Sequence, residues 1–365
     1  MTTLINLLPW LPGFSGFGSY VQRVLPGLQG VGLQVDSQGE PRLTSGDQLG
    51  AVQPGWSSSR YRRLLQRYSL LQHGVDLDAV LAQNDVSADQ IQTIYSPFFD
   101  ALLCYPNIPQ LITCHDLTPL IEPNSRKAWL RYRLWQPRHV KAAHRLIAIS
   151  HYVADQLMAF GADPDRLVVI PNGVKVQRPR VSASLSEDLF VLARRDRNKN
   201  LTGLLSNLAV AQRCLPQWRG RVIIVGRYGR DHRHVMRRLA LLPRPDQVVF
   251  VERMGSDELI QTLRQSLLLV SASTEEGFDY PVLEAKAEGI PTLISDTTVH
   301  REFHQGSSLF FPVDDDGSVF TSHLQTLLKD HLAWQDLSCS GYALAQQMSV
   351  ERQQRAIQEQ IDRLH

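Results

Sequence analysis

Short runs of apolar, often β-branched residues recur along the chain, and each is followed by a polar or amphipathic stretch. They stand out in the second half at residues 189–193, 221–225, 247–251, 267–272, 291–295 and 309–313. In the first half, 4–8, 109–114, 146–150 and 167–170 have the same character. Runs that are apolar throughout, rather than alternating with polar residues, suit strands covered on both faces. The pattern therefore predicts βαβ units and parallel sheets, an α/β class. After Ile170-Pro171-Asn172-Gly173-Val174 the chain becomes rich in Pro, Ser and basic residues and loses any period until Asp188. A hinge is expected near 174–187, separating a first domain at 1–174 from a second at 188–345. The end of the chain, 346–365, is expected to hold a polar helix whose apolar positions Ile357, Ile361 and Leu364 fall at helical spacing. Such a helix needs a partner surface; the pattern does not name the lobe, but two lobes of this type commonly exchange their terminal helix, so it is expected to pack back toward the N-terminal domain.

Composition narrows the class. A chain of 365 residues exceeds one ordinary core and suits two domains of roughly 150–200 residues. A formal net charge of +2 gives no global reason to expect a nucleic-acid partner, and the basic stretch 227–238 has little aromatic interleaving beyond Tyr228. No Lys or Arg precedes Arg23, so the charged front of a secretory signal is missing and the apolar start reads as a strand. No apolar run reaches the roughly 20 residues that span a bilayer. Cys104, Cys114, Cys214 and Cys339 lie far apart with no CxxC pair, which disfavours a zinc site or a disulfide framework and points to a reducing cytoplasm. One stretch is locally basic. Between 126 and 145 the chain holds Arg126, Lys127, Arg131, Arg133, Arg138, Lys141 and Arg145 with Trp129, Tyr132 and Trp135 and no acid, a composition suited to a solvated helical face, an anionic acceptor or an anionic lipid surface.

The richest chemistry lies in Ser273-Thr274-Glu275-Glu276-Gly277-Phe278-Asp279-Tyr280-Pro281-Val282-Leu283-Glu284, between a strand and an expected helix. Pro281 suits a first helical turn, so unpaired amides around Gly277 to Tyr280 would make an anion site at the carboxyl end of the strand. Glu276 in the loop and Glu284 one turn into the helix could accept hydrogen bonds from two groups of hydroxyls; the alternative is a helix cap and a surface acid. After an earlier strand, Arg194 and Lys199 stand in a basic loop that either neutralises phosphate or is simply solvated. Near the start, Gly13 to Gly18 forms a glycine-rich turn that does not match GxGxxG, so nicotinamide binding is a weak reading. His115-Asp116 closes another strand.

Taken together these stretches resemble the retaining glycosyltransferases of family 4, which include bacterial mannosyltransferases and sucrose-phosphate synthases and have the GT-B fold, two Rossmann-like domains facing across a cleft. The likeness spans nearly the whole chain. Its sharpest element is the E-x7-E signature, here Glu276 and Glu284, and Gly16, Gly18, His115-Asp116-Leu117, Pro171-Asn172-Gly173-Val174, Arg194 and Lys199-Asn200 follow the family's order. The resemblance implies that Glu276 contacts donor-sugar hydroxyls, Glu284 the ribose, Arg194 and Lys199 the diphosphate, and His115 the transferred hexose. Gly16, Gly18, Gly277, Phe278 and Asp279 are implied as further donor contacts. It also implies a nucleotide-diphosphate sugar as donor, GDP- or UDP-linked, a glycan, lipid-linked or small-molecule acceptor, retention of configuration, and no metal. Asp163-Pro164-Asp165 precedes a strand instead of ending one, and Asp314-Asp315-Asp316 sits in a turn, so neither reads as a divalent-ion site. Three departures stand out: Ala193 replaces a glycine, Ser271-Ala272-Ser273 replaces proline-serine, and Asp279 replaces a glycine after Gly277-Phe278. A carboxylate at 279 would select among sugar hydroxyls or repel a diphosphate, and with Ala193 it is the basis of a rival reading as a nucleotide-sugar binder without turnover.

Overall fold

The computed structural model describes residues 2–13, 16–45, 48–121, 126–176 and 186–364. The core of the expected hinge, 177–185, lies outside the described residues. The chain forms two compact units, one running to Gly173 and resuming at Val350, the other Val174–Ser349.

The first unit contains β1 (Thr2–Asn6), β2 (Val31–Val35), β3 (Pro41–Ser45), β4 (Ile91–Ser96), β5 (Gln110–Cys114), β6 (Arg145–Ala148) and β7 (Leu167–Val169). They assemble in the order β3-β2-β1-β4-β5-β6-β7, parallel except for the antiparallel β2–β3 pair. The second unit contains β8 (Leu189–Leu192), β9 (Val222–Val225), β10 (Val248–Val251), β11 (Leu268–Ser271), β12 (Thr292–Ser295) and β13 (Leu309–Phe311). Their order is β10-β9-β8-β11-β12-β13, all parallel. In each sheet the direction of strand addition reverses once, between β1 and β4 and between β8 and β11. That reversal opens a crevice beyond the carboxyl ends of the two strands, where open α/β sheets bind ligands.

The continuous apolar runs have the cause expected of them. In β8, Leu189 and Val191 join one core cluster with Leu205, Leu208 and Trp218, while the intervening Phe190 joins another with Val282 and Ile294. Both faces are buried. Three strands escape the pattern because they are polar or short. In β4 the Tyr95 hydroxyl lies 3.1 Å from that of Tyr20 and 3.2 Å from Thr113 Oγ1, so a buried polar network sits where an unbroken apolar run would have marked a strand.

The terminal helix Val350–Asp362 belongs to the first unit; residues 346–349 complete the second. Ile357 and Ile361 are fully buried, but glutamines do much of the fastening. Gln354 Nε2 donates to the Arg23 carbonyl at 2.8 Å, and Gln358 Oε1 accepts from the Gln29 amide at 3.1 Å. Gln353 accepts from the Gly173 amide at 2.8 Å and donates to Asn172 Oδ1 at 3.1 Å. Pro171-Asn172-Gly173-Val174 thus lies where the chain leaves the unit, beside the point where it returns: Val174 bridges Ser349 in parallel.

Candidate active site

In the second unit the chemistry gathers on the loops after β8 and β11, the two strands at the reversal. The first loop turns through Arg197–Lys199 into Asn200, which takes a left-handed conformation (φ 45). Asn200 Oδ1 then accepts from the Gly203 amide at 3.1 Å and caps the helix Leu201–Cys214. The second loop is stitched to the first. The Thr274 amide donates to the Asn198 carbonyl at 2.8 Å, and Asn198 Nδ2 donates to the Glu275 carbonyl at 3.2 Å. This stitching brings Lys199 Nζ into a hydrogen-bonded ion pair with Glu276 Oε1.

The two adjacent arginines differ. Arg195 is buried, its guanidinium carbon 4.6 Å from the Tyr228 ring centre and 4.4 Å from that of Phe250, with Nη1 3.2 Å from His232 Nδ1. Arg194 is exposed, 67% for its side chain, and rests 3.1 Å from Asp196 Oδ2. Arg194 is therefore the cation of the pair that a solvent-borne anion can reach.

The β11 loop ends on Asp279, in the left-handed region (φ 64), and the helix Tyr280–Ala287 follows with Pro281 in its first turn. The Asp279 side chain turns under the loop. Its Oδ2 accepts from Ser271 Oγ at 2.5 Å and faces His300 Nε2 at 3.0 Å, with side-chain exposures of 2% for Asp279 and 0% for His300. His300 Nδ1 in turn faces the Ser295 carbonyl at 2.7 Å. The carboxylate is thus spoken for from within, in place of the sugar contact or diphosphate repulsion that position 279 suggested. Phe278 is likewise buried, its ring 4.9 Å from that of Phe303 and 5.3 Å from that of Tyr280, so neither side chain is presented to a ligand. Glu284 sits half-buried in the second turn of the helix.

Electrostatics follow from this packing. Burial pushes the Asp279 carboxyl up, but the charge of Lys199 and the hydrogen bonds from His300 and Ser271 outweigh it and hold the group below the usual carboxylate range. Glu276 moves upward, because burial and the neighbouring Asp279 charge oppose the ion pair with Lys199. Burial pulls Lys199 down, yet Glu276, Asp279 and Asp196 keep it above its ordinary value. The loop pair thus presents a fixed ammonium, a carboxylate beside it, an exposed guanidinium and a helix start, an arrangement fit for an anion and for hydroxyls next to it.

In the first unit, Gly16 and Gly18 lie inside the first turn of the helix Gly16–Val24 instead of in the loop before it. Gly13 takes the left-handed conformation (φ 108) that turns the chain, and Phe14 and Ser15 lie outside the described residues. His115 is buried, with Nε2 2.8 Å from the Pro97 carbonyl and the Tyr20 ring edge-on at 4.4 Å. Burial lowers its pKa to about 4, leaving a neutral imidazole. The acids at 315 and 316 are caps: Asp315 accepts from the Phe320 amide at 2.9 Å and Asp316 from that of Ser318 at 2.9 Å. Sequence reasoning missed His300, since it stands in no motif and only the fold brings it from the helix Thr298–His304 under the β11 loop.

The comparisons with known proteins bear on the family and the fold. Residues 15–178 match the model described as Glycosyltransferase Family 4, and 187–330 the one described as Glycosyl transferases group 1. Among curated relatives, the O-antigen chain mannosyltransferase RfbU of Salmonella typhimurium is 26% identical over 212 residues, 57% of this chain and 58% of that protein. The GDP-mannose:cellobiosyl-diphosphopolyprenol alpha-mannosyltransferase of Xanthomonas oryzae pv. oryzae is 31% identical over 155 residues, 42% of this chain and 40% of that one. The matched segments therefore span about half the length of these relatives. Among solved structures, sucrose-phosphate synthase from Thermosynechococcus elongatus superposes with a TM-score of 0.77 at 17% identity over 100% of this chain and 99% of that one. Anabaena HepE in complex with UDP and glucose gives 0.73 at 16%, covering 99% of both. The fold is that of the GT-B glycosyltransferases. The chain belongs to the family-4 type within them.

Proposed function

We propose that the protein transfers a hexose, mannose before glucose, from a GDP- or UDP-linked donor to a glycan or lipid-linked acceptor, with retention of configuration and without a metal ion. The observation that carries this reading is the paired loop of the second unit. Lys199 and Glu276 are locked together at the switch point, with exposed Arg194 and a helix start beside them. A diphosphate needs fixed positive charge and amides, and a sugar next to it needs a carboxylate acceptor. As the bond to the diphosphate breaks, charge grows on the leaving oxygens, and preorganised cations stabilise it without reorganisation. The departing phosphate takes the acceptor's proton. No protein carboxylate then acts as nucleophile.

The preference for mannose rests on the names of the relatives, several of which are mannosyltransferases. The lipid-linked acceptor is favoured by the helix Arg126–Ala142, which exposes Leu130 at 50% and Leu134 at 53% alongside Arg133 and Arg138 stacked on Trp129 and Trp135. Basic and aromatic side chains with exposed leucines suit peripheral contact with anionic headgroups. Among the described residues no helix is long and apolar enough to cross a membrane. A thermal-shift screen of GDP-, UDP- and ADP-hexoses tests the donor, since a ligand at about 100 times its Kd stabilises by about 2.7 kcal/mol. No shift with any of them would reject the reading.

A further inference from the structure

The first unit has its own crevice at a strand-order reversal. Between the segments that follow β1 and β4 lies a cavity of about 360 Å³ walled by Trp10, Phe17, Phe98, Asp100, His115 and Arg131. Asp100 is held from both sides. Its main-chain carbonyl accepts from Asn6 Nδ2 at 3.2 Å, which fixes the backbone at the end of β1. His139, fully buried behind it, accepts the Ala101 amide on Nδ1 at 2.9 Å. That bond leaves the ring proton on Nε2, 3.6 Å from Asp100 Oδ1 and too far for a hydrogen bond. Among the described residues no protein group donates to an Asp100 side-chain oxygen, and the side chain keeps 11% exposure on the cavity side. Its oxygens must therefore take their donors from what enters the cavity, water or a ligand hydroxyl.

We propose that Asp100 is an acceptor-binding residue, its carboxylate taking the hydrogen bond of a hydroxyl on a carbohydrate seated against the aromatic walls of this cavity. The inference rests on the glycosyltransferase reading and adds the residue and the chemical class. A cationic ligand is disfavoured by Arg131, which stands over the Tyr132 ring at 4.8 Å and acts electrostatically on Asp100. Rings for the C–H face of a sugar and a donor-starved carboxylate for its hydroxyls suit a neutral polyol. Phe17, 42% exposed and edge-on to His115 at 5.1 Å, is the accessible ring.

Burial raises the Asp100 carboxyl to about 7 against the opposing charge of Arg131. The groups around it are Arg131, Tyr132 and His139 on the helix Arg126–Ala142, His115 and Asp116 after β5, and Arg67 at the cavity wall. His139 is held near 4 by burial and stays neutral while Asp100 titrates. Only the ionised carboxylate accepts with both oxygens, so carbohydrate affinity should fall by about tenfold from pH 8 to pH 6.

The test titrates octyl α-mannoside and octyl β-cellobioside into the full chain without donor, read by saturation-transfer NMR. One of them should bind with that pH slope. Asp100→Asn should weaken binding by about tenfold at pH 8 and flatten the slope, whereas Phe17→Ala should weaken binding and keep it. An Asp100→Asn protein with wild-type affinity and slope, or a wild type that binds neither glycoside, overturns the assignment. The Phe17→Ala result covers the case in which Asp100→Asn does not fold: unchanged affinity there also rejects the cavity. Because no nucleotide is present, failure of the donor reading would show in the nucleotide-sugar screen and not here.

Discussion

Asp279 offers a sharp separation between two roles for one carboxylate. In Asp279→Ala the buried pair with His300 loses its anion, at about 3–5 kcal/mol, and alanine in the left-handed region costs about 1–2 kcal/mol more. Asp279→Asn keeps a side chain that tolerates that conformation and an oxygen that can accept from Ser271 Oγ and His300 Nε2. It exchanges charged hydrogen bonds of about 1.5–3 kcal/mol for neutral ones of about 1 kcal/mol, so it should cost about 1–3 kcal/mol. The two variants should therefore differ by roughly 3–4 kcal/mol, more than a hundredfold in an opening equilibrium. Hydrogen exchange by mass spectrometry, on peptides covering β11 and β12, reads that equilibrium within the second unit alone and avoids assuming that both units melt together. Equal loss in the two variants would show that charge, not geometry, is all that matters there. Native-like exchange in Asp279→Asn combined with a changed ranking of hexose donors would show instead that the carboxylate faces the sugar, and would refute the internal clasp.

Glu284→Ala should weaken binding of the free nucleoside diphosphate by about 1.5–3 kcal/mol through loss of a charged acceptor, measured by calorimetry; unchanged affinity removes Glu284 from the site. Arg194→Ala should lower turnover with little change in melting, since the side chain is exposed, whereas Lys199→Ala should lower turnover and also destabilise, because Glu276 is left with a buried unpaired charge. Wild-type rates in both would sink the phosphate assignment. Transfer should survive EDTA and the product should keep the donor's anomeric configuration by NMR; activity lost on chelation and restored by magnesium or manganese contradicts the metal-free reading. Lys286, fully buried with Nζ 2.7 Å from Ser307 Oγ and 3.2 Å from His304 Nδ1, is lowered to about 7 by burial. Its folded pKa lies below the unfolded one, so the protein is penalised below pH 7 and recovers as pH rises toward 10. Lys286→Met should then stabilise by about 4 kcal/mol at pH 6 and by progressively less above pH 8, in urea melts.

The sequence showed most of what depends on local pattern. The β8 to β13 runs were visible because each is apolar on both faces, and their observed bounds lie within a residue or two of the expected ones. The paired loops were visible because their chemistry is written in consecutive residues, with Glu276 and Glu284 at fixed spacing and Lys199 just before a helix. β4 was hidden by Thr93, Tyr95 and Ser96, all buried, whose polarity makes sense only once their partners on other elements are known. His300 was hidden for the same reason: it reaches Asp279 across 21 positions of chain, and a lone histidine carries no signal of its partner.

Asp279 shows how this limit arises. A carboxylate two residues after Gly277 and beside an anion site reads as an electrostatic defect when only neighbours in the chain are counted. The fold adds Ser271 from the end of β11 and His300 from the helix Thr298–His304, and with those donors the charge is matched before any ligand arrives. The matching also bears on Lys199, which lies within electrostatic reach of both Glu276 and Asp279. Were Asp279 free, Lys199 would face two uncompensated carboxylates and have little charge left for a third anion. With His300 and Ser271 holding Asp279, the ammonium is opposed chiefly by Glu276, and a sugar hydroxyl donating to Glu276 would weaken that hold further. Under the proposed function, donor binding therefore releases part of the Lys199 charge toward the diphosphate. His300→Gln, which keeps a donor at 300 but only a neutral one, should for that reason weaken nucleoside-diphosphate affinity without any contact between residue 300 and the ligand. An unchanged affinity by calorimetry would disconnect the clasp from the donor site.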